Sequence, residues 1–423
     1  MTLLPPVRPL PAATAELRSA VRAFLAQELQ AGRFVPACDA WLSGWDESFS
    51  RRLAARGWIG MTMPPEYGGG GRSALERYVV IEELLAAGAP VAAHWISDRQ
   101  IVPNLLRYGS EELKQRYLPA IARGECYFAI GLSEPDAGSD LAAVRTAGTR
   151  VDGGWRVSGT KIWTSGAHRA RAFIALLRTG PPDGRQRHVG LSQLLIELDQ
   201  PGVTIRPIIS MTGEHHFNEV VLDEVFVPDG QVVGTIGDGW AQVTSELAYE
   251  RSGPERLLST FVLLETLAGE LAGRAAGSGT GAGSGTGSGS GTGSGSGTSS
   301  GAGAGAGSGG DSGSGGDARA AEALGRITSR LWACRQMSLA VAGALAGGEA
   351  PEIAAALVKD VGTRLESEII DMARMLTAAE PDPDGGGIAA MLAHAILHAP
   401  GFTLRGGTNE ILRGIVARAL GLR

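Results

Sequence analysis

Cysteine, positive charge and a long leading apolar run are what this chain lacks. Three cysteines occur in 423 residues, Cys38, Cys126 and Cys334, with no C-x-x-C spacing. That argues against a disulfide framework or a thiolate metal cluster and suits a reducing compartment. Lys and Arg number 38 against 44 Asp and Glu, a formal net charge of −6. With no basic excess to meet a phosphate backbone, nucleic acid is not expected as a partner. The opening stretch M-T-L-L-P-P-V-R-P-L-P is broken by proline. Neither a signal peptide nor a membrane span is expected there, and the expected location is cytoplasmic.

What is present is a chain of 43% hydrophobic and 19% charged residues, enough for two or three globular domains. Residues 1–125 read as a helical domain. Thr14 is expected to cap a helix carrying Leu17, Val21 and Phe24, another helix is expected to end over 53–59, and 75–87 reads as a further one. Ser110 is a candidate N-cap for a helix over 111–123, with Glu111 and Glu112 in its first turn. From Cys126 the period changes to two. Short β-branched and aromatic runs at 127–132, 146–151, 155–161, 172–178, 193–198 and 220–227 predict a β-domain over 126–234. Helical periodicity returns over 235–423, with helices expected at 320–345 and 351–376 and a last one from Asn409. This part is interrupted at 277–316 by a run of Gly, Ser, Thr and Ala, expected to be a disordered insert between two helices. The fold class expected is α+β: a helical domain, a central β-domain and a C-terminal helical bundle.

Two stretches carry the chemistry. Residues 130–140 read I-G-L-S-E-P-D-A-G-S-D, an apolar run that breaks into a tight loop exposing backbone N–H groups and the hydroxyls of Ser133 and Ser139. Residues 159–166 read G-T-K-I-W-T-S-G and supply an indole and two hydroxyls at another strand end. Together they resemble the acyl-CoA dehydrogenase family of flavoproteins, in which two such stretches hold the flavin ring. The segments W-I-G-M-T-M-P-P-E-Y-G-G and G-S-E-E-L-K-Q-R-Y-L-P-A-I-A-R-G-E are similar to the family's N-terminal domain. L-R-G-G-T-N-E-I-L-R-G-I-V-A-R resembles its C-terminal signature.

The resemblance implies α,β-dehydrogenation of an acyl thioester. A base takes the α-proton, donors hold the developing oxyanion, and FAD accepts the β-hydride. The family places its carboxylate base either just before the Gly-Thr of the C-terminal signature or on the first helix of the C-terminal domain, before an Arg. Here the first position is Gly406 and the second is Glu250. Glu250 is therefore the expected base, and the backbone N–H of Gly406 the expected oxyanion donor. The resemblance puts Ile130, Leu132 and Ser133 along the flavin edge, Trp163 against the ring and Thr164 or Ser165 near its reactive nitrogen. Thr408 and Glu410 match cofactor-contacting positions, and Ser139 and Arg251 substrate-contacting ones. Family motifs for the adenosine half of FAD are not recognisable, which leaves Arg326, Arg330 and Arg335 as unsupported guesses. Arg405 has no assigned role.

The implied partners are an acyl-CoA or related thioester, an electron-transfer flavoprotein as acceptor, and copies of the chain in a homo-oligomer, dimer or tetramer. Two alternatives stay open. One is a flavoenzyme of the same fold that acts on carrier-protein thioesters or uses oxygen. The other is a non-catalytic subunit of a hetero-oligomeric dehydrogenase. No metal is expected: His215 and His216 lack a third ligand at metal spacing, and His394 and His398 lack the Glu of a zinc-protease helix. His94 and Trp95 are expected to pack rather than react.

Overall fold

The computed structural model describes residues 3–184, 186–278, 312–349 and 351–422. Helices open the chain: α1 (Thr14–Gln30), α2 (Ala40–Ser43), α3 (Glu47–Ala54), α4 (Ala74–Ala86), α5 (Ala92–Ile96), α6 (Val102–Tyr108) and α7 (Glu111–Ala122). A π-helical turn, Ser97–Ile101, joins α5 to α6. Strands follow: β1 (Phe128–Gly131), β2 (Ala147–Val151), β3 (Gly154–Lys161), β4 (Ala172–Arg178), β5 (Leu191–Glu197), β6 (Val203–Ile209), β7 (His215–Pro228) and β8 (Val232–Val233). Helices then return: α8 (Gly239–Ser252), α9 (Phe261–Ser278), α10 (Ser312–Ala346), α11 (Glu352–Leu376), α12 (Gly387–Leu404) and α13 (Asn409–Ala419).

Local chemistry explains several boundaries. Ser110 caps α7, its hydroxyl accepting from the Leu113 amide at 3.3 Å. Ser73 and Glu76 close a reciprocal capping box on α4. Thr14 does not cap α1 as expected: Ala13 holds the N-cap position, and the Thr14 hydroxyl donates to the Pro11 carbonyl at 2.6 Å. The helix expected to end over 53–59 stops at Ala54. The Gly/Ser/Thr insert expected at 277–316 lies mostly outside the described residues. Its two ends belong to helices, residues 277–278 to α9 and 312–316 to α10.

The strands form an eight-stranded sheet in the order β6-β7-β3-β2-β4-β5-β8, with β1 paired parallel to β4. β4 is buried along almost its whole length, which is why its sequence, A-F-I-A-L-L-R, does not alternate. β6 has no counterpart among the strands expected from sequence. Its residues are half-exposed or exposed, so no apolar run announces it. A bulge between Val157 and Gly159 re-aims the end of β3. Gly159 sits at φ +151°, where an added Cβ would overlap Thr146, and beyond it Lys161 turns fully inward.

The first and last helical parts share one core. Leu17, Val21 and Phe24 of α1 cluster with Leu263 and Leu267 of α9, Leu365 and Ile369 of α11, and Leu392 and Phe402 of α12. Each such buried side chain contributes roughly 1.5–3 kcal/mol, against about 1 kcal/mol for a helix cap. Packing rather than capping therefore holds these parts together. Residues Gly387–Ala419 are apolar and long enough by composition to cross a membrane. The turn between α12 and α13 divides that stretch, and Leu392, Ala395 and Phe402 are buried in the shared core.

Candidate active site

The loop of residues 130–140 and the Trp163 turn lie side by side at one end of the sheet. The Ile162 amide donates to the Ser133 carbonyl at 2.9 Å. Glu134, the residue after Ser133, is buried and points down. Its carboxylate accepts from the Arg145 amide (2.6 Å), the Thr146 amide (2.9 Å) and Lys161 Nζ (2.7 Å). Burial works against this carboxylate, but Lys161 and these donors hold its pKa below the ordinary value. Lys161 Nζ also donates to the Leu132 carbonyl at 3.2 Å. One buried ammonium thus ties the Leu132–Glu134 corner to β3. Sequence reasoning passed over this pair, although Glu134 and Lys161 stand inside the two motifs.

Trp163 occupies φ +59°, a left-handed conformation that a bulky residue adopts rarely. The turn is tied down by Asn218: the Thr164 amide donates to the Asn218 carbonyl, and Asn218 Nδ2 to the Thr164 carbonyl, both at 3.0 Å. The outcome is an indole 55% exposed, edge-on to Phe217 at 5.7 Å. Thr164 is fully buried, and its hydroxyl has no partner among the described residues. Ile130, Leu132, Ser133 and Ser165 are half-buried, whereas Ser139 is exposed.

A second cluster forms where α8 meets the turn between α12 and α13. Glu250 Oε1 lies 3.1 Å from Arg256 Nη2, and its side chain is 23% exposed. Arg256 is itself buried, donates from Nε to the Glu250 carbonyl at 3.0 Å, and lies over the Trp41 ring at 5.1 Å. Gly406 stands beside this carboxylate. An added Cβ there would come within 3.0 Å of Glu250 Oε1 and 2.8 Å of Arg256 Nη2. The Gly406 carbonyl accepts from Arg251 Nε at 3.0 Å, and its N–H has no acceptor among the described residues. The two positions that the resemblance offers for a base thus converge on one point in space, and one of them has no side chain.

Lys359 fixes the turn from below. Its buried Nζ donates to the Thr403 carbonyl (3.1 Å), the Gly407 carbonyl (2.9 Å) and Asn409 Oδ1 (2.7 Å). Burial, with Arg256 and Arg405 adding repulsion, pushes its pKa down to about 7. Thr408 caps α13, accepting from the Ile411 amide at 3.4 Å, and Glu410 is exposed in the first turn.

Arg405 has a clear function in the structure. It forks onto Asp39, Nη1 to Oδ2 at 2.6 Å and Nη2 to Oδ1 at 2.5 Å, and lies over the Trp41 ring at 4.4 Å. Burial opposes ionisation of Asp39, yet Arg405 and His398 hold its pKa down to about 2. His398 bonds Asp39 Oδ2 through Nδ1 at 3.0 Å and faces Glu214 from Nε2 at 3.5 Å. Burial lowers the His398 pKa, but Asp39 and Glu214 outweigh it and push it up to about 9. A single ionic chain therefore joins the segment before α2, the loop before β7 and the end of α12. His94 is buried against Ser50 Oγ at 2.8 Å, and burial drives its pKa down to about 4, the state of a packed neutral imidazole. Of the arginines guessed for the adenosine half, Arg330 pairs with Glu368 and Arg335 with Glu82. No group of metal-ligating side chains exists among the described residues.

Residues 11–125 match the family model "Acyl-CoA dehydrogenase, N-terminal domain", and residues 129–225 match "Acyl-CoA dehydrogenase, middle domain". The chain is 38% identical over 270 residues to acyl-CoA dehydrogenase IpdE1 of Mycobacterium tuberculosis, covering 62% of this chain and 69% of that protein. It is 42% identical over 203 residues to acyl-CoA dehydrogenase FadE34 of the same organism, covering 47% of this chain and 27% of that protein. The match to FadE34 thus spans about a quarter of that relative's length. Among solved structures, the Tcur3481-Tcur3483 steroid ACAD superposes with a TM-score of 0.78 at 27% identity, covering 100% of both chains. The ChsE4-ChsE5 complex from Mycobacterium tuberculosis gives 0.74 at 26% identity, covering 98% of both.

Proposed function

Since the chain belongs to the acyl-CoA dehydrogenase family, we propose that it removes an α-proton and a β-hydride from an acyl thioester, with Glu250 as the base. The observation that carries this is the convergence of Glu250 on Gly406: a carboxylate from α8 fills the space that a side chain at 406 would need. The Gly406 N–H donates to the thioester oxygen, which acidifies the α-carbon. Arg251, bonded to the Gly406 carbonyl, orients that peptide. Arg256 aims the Glu250 carboxylate and stays buried while the proton is taken. Arg251, Arg256, Arg405 and Lys359 surround the turn with positive charge, which favours an enolate-like oxygen.

The residues at the sheet end fit FAD. Trp163 offers an exposed aromatic face, and the Thr164 hydroxyl is a buried polar group still needing a partner. Ile130, Leu132, Ser133, Ser165, Thr408 and Glu410 complete the proposed cofactor set, with Ser139 and Arg251 toward substrate. FAD, when bound, supplies the hydride acceptor that no side chain offers. A cytoplasmic location and an electron-transfer flavoprotein as acceptor accompany this reading.

A second reading, a subunit that needs a different partner chain, is favoured by one observation: Arg330 and Arg335 are already matched with Glu368 and Glu82. The ChsE4-ChsE5 and Tcur3481-Tcur3483 structures are each named for two proteins, and a hetero-oligomer would follow the same plan. The visible spectrum of the purified chain, followed by anaerobic titration with a panel of acyl-CoA thioesters, tests both. Bound flavin that bleaches supports the first. A colourless chain that cannot take up FAD sinks it and leaves the second.

A further inference from the structure

A cavity of about 510 Å³ lies between α4, α6, α8 and the end of α10. Glu246 and Gly253 line it, four residues before Glu250 and three after it, and positions at that spacing share one face of a helix. An acyl group held with its α-carbon at Glu250 therefore has this space beside it, and the volume suits a group of substantial size.

The charge of the wall runs against that of the chain. The chain carries a formal −6, yet the wall carries Arg72, Arg77, Arg99 and Arg107 against the single carboxyl of Glu246. That carboxyl pairs with none of the four. It accepts from Gln193 Nε2 at 2.8 Å and from Asn104 Nδ2, and burial pushes its pKa up to about 7, which leaves it only partly ionised near neutral pH. Arg99 and Arg72 do have carboxylate partners, Glu255 at 2.9 Å and Glu76 at 3.3 Å, but neither of these acids lines the cavity. They steady the two guanidiniums from outside it.

Two of the arginines are open to a ligand. Arg72 commits one side-chain N–H of its five, from Nη1 to Glu76, and its side chain is 46% exposed. Arg107 is exposed, lies over the Tyr108 ring at 5.1 Å and has no ion pair among the described residues. Both line the cavity and both reach solvent, so they stand at its rim, while Arg77 and Arg99 are buried. A cleft lined by one sign of charge draws in the opposite sign. A plain alkyl group placed there strips water from guanidiniums and returns nothing. A carboxylate accepts charge-assisted hydrogen bonds from them instead.

We propose that this cavity receives the acyl part of the substrate and selects acyl groups bearing a carboxylate remote from the thioester over plain alkyl chains. This assignment rests on the dehydrogenase reading above, and Arg72 and Arg107 are its specificity-determining residues.

The test compares alkanoyl thioesters with their terminal-carboxy and terminal-hydroxy counterparts across chain lengths, each made with coenzyme A and with pantetheine, which lacks the nucleotide phosphates. Anaerobic flavin reduction is read on the FAD-loaded protein. Equilibrium binding of the matching non-oxidisable thioethers is measured in parallel. The best carboxy ligand should exceed its alkyl counterpart by roughly tenfold to a hundredfold in both readouts and with either carrier. Rising salt should shrink that ratio, because the rim is exposed. Arg72→Gln and Arg107→Gln together should shrink it by about tenfold. Equal binding of carboxy and alkyl ligands, a preference for the hydroxy ligand, a wild-type ratio indifferent to salt, or a ratio untouched by the paired substitutions overturns the proposal. An arginine effect on every coenzyme A ligand and on no pantetheine ligand overturns it as well, because the rim then serves the nucleotide phosphates. If no thioester reduces the flavin, the dehydrogenase reading fails instead, and the thioether series still decides whether the cavity prefers a carboxylate.

Discussion

Gly406→Ala is a small change that should have a large effect, because of where its one added carbon goes. The residue holds φ +70°, and moving an L-residue into that region costs about 1–2 kcal/mol. The new Cβ would stand 2.8 Å from Arg256 Nη2 and 3.0 Å from Glu250 Oε1. Arg256 cannot retreat, since it is buried, bonded to the Glu250 carbonyl and packed over Trp41. The Glu250 carboxylate, 23% exposed, is the group that gives way. A displacement approaching 1 Å costs on the order of 100-fold in rate when a reacting group is involved. The expected result is flavin retained, the melting temperature lowered by only about 1–2 °C, and the rate of anaerobic flavin reduction lowered roughly 10- to 100-fold. Gly414→Ala is the control: this glycine lies in α13 with nothing within 4 Å of an added Cβ. It should leave the rate unchanged and stabilise the helix by up to about 1 kcal/mol. Stopped-flow reduction at wild-type rates in Gly406→Ala would refute the claim that Glu250 works against this turn.

Glu250→Gln should keep its flavin yet fail to bleach it with substrate, and bleaching at the wild-type rate removes Glu250 from the mechanism. Lys161→Met leaves Glu134 buried without its cation, so stability should fall by about 3–5 kcal/mol and flavin should be lost more readily on dilution, both readable by denaturant melts and fluorescence. For His398 the folded pKa, about 9, is raised above the ordinary 6.5. Its contribution is therefore fully present below about pH 6.5 and disappears as pH rises through 9. The shift corresponds to at most about 3 kcal/mol. The stability gap between wild type and His398→Asn should be widest at pH 6 and close by pH 10, and a gap constant with pH would remove the charge of His398 from the account.

Much of the fold was legible because its signals are local. The change of period at Cys126, the cap at Ser110 and the buried run of β4 all declare themselves within a few residues. The loops around Ser133 and Trp163 were legible for the same reason, each being a short motif. What escaped notice depends on partners far away in the chain. Arg405 had no visible purpose because Asp39 stands 366 residues earlier and is held in a left-handed conformation. Lys359 of α11 drew no attention in the sequence, since nothing near it announces that three acceptors from 403–409 converge on its ammonium. β6 was missed because an exposed strand has no apolar stripe to show.

The merged core of the two helical parts has a consequence for biogenesis. Leu17, Val21 and Phe24 are synthesised well before Leu263, Ile369 and Phe402, their later partners in the core. Until those partners emerge, the nascent chain leaves part of this apolar surface uncovered, a state in which chaperones have time to act. Release of the chain before α9 emerges should therefore give a dye-binding, aggregation-prone fragment rather than a smaller stable protein.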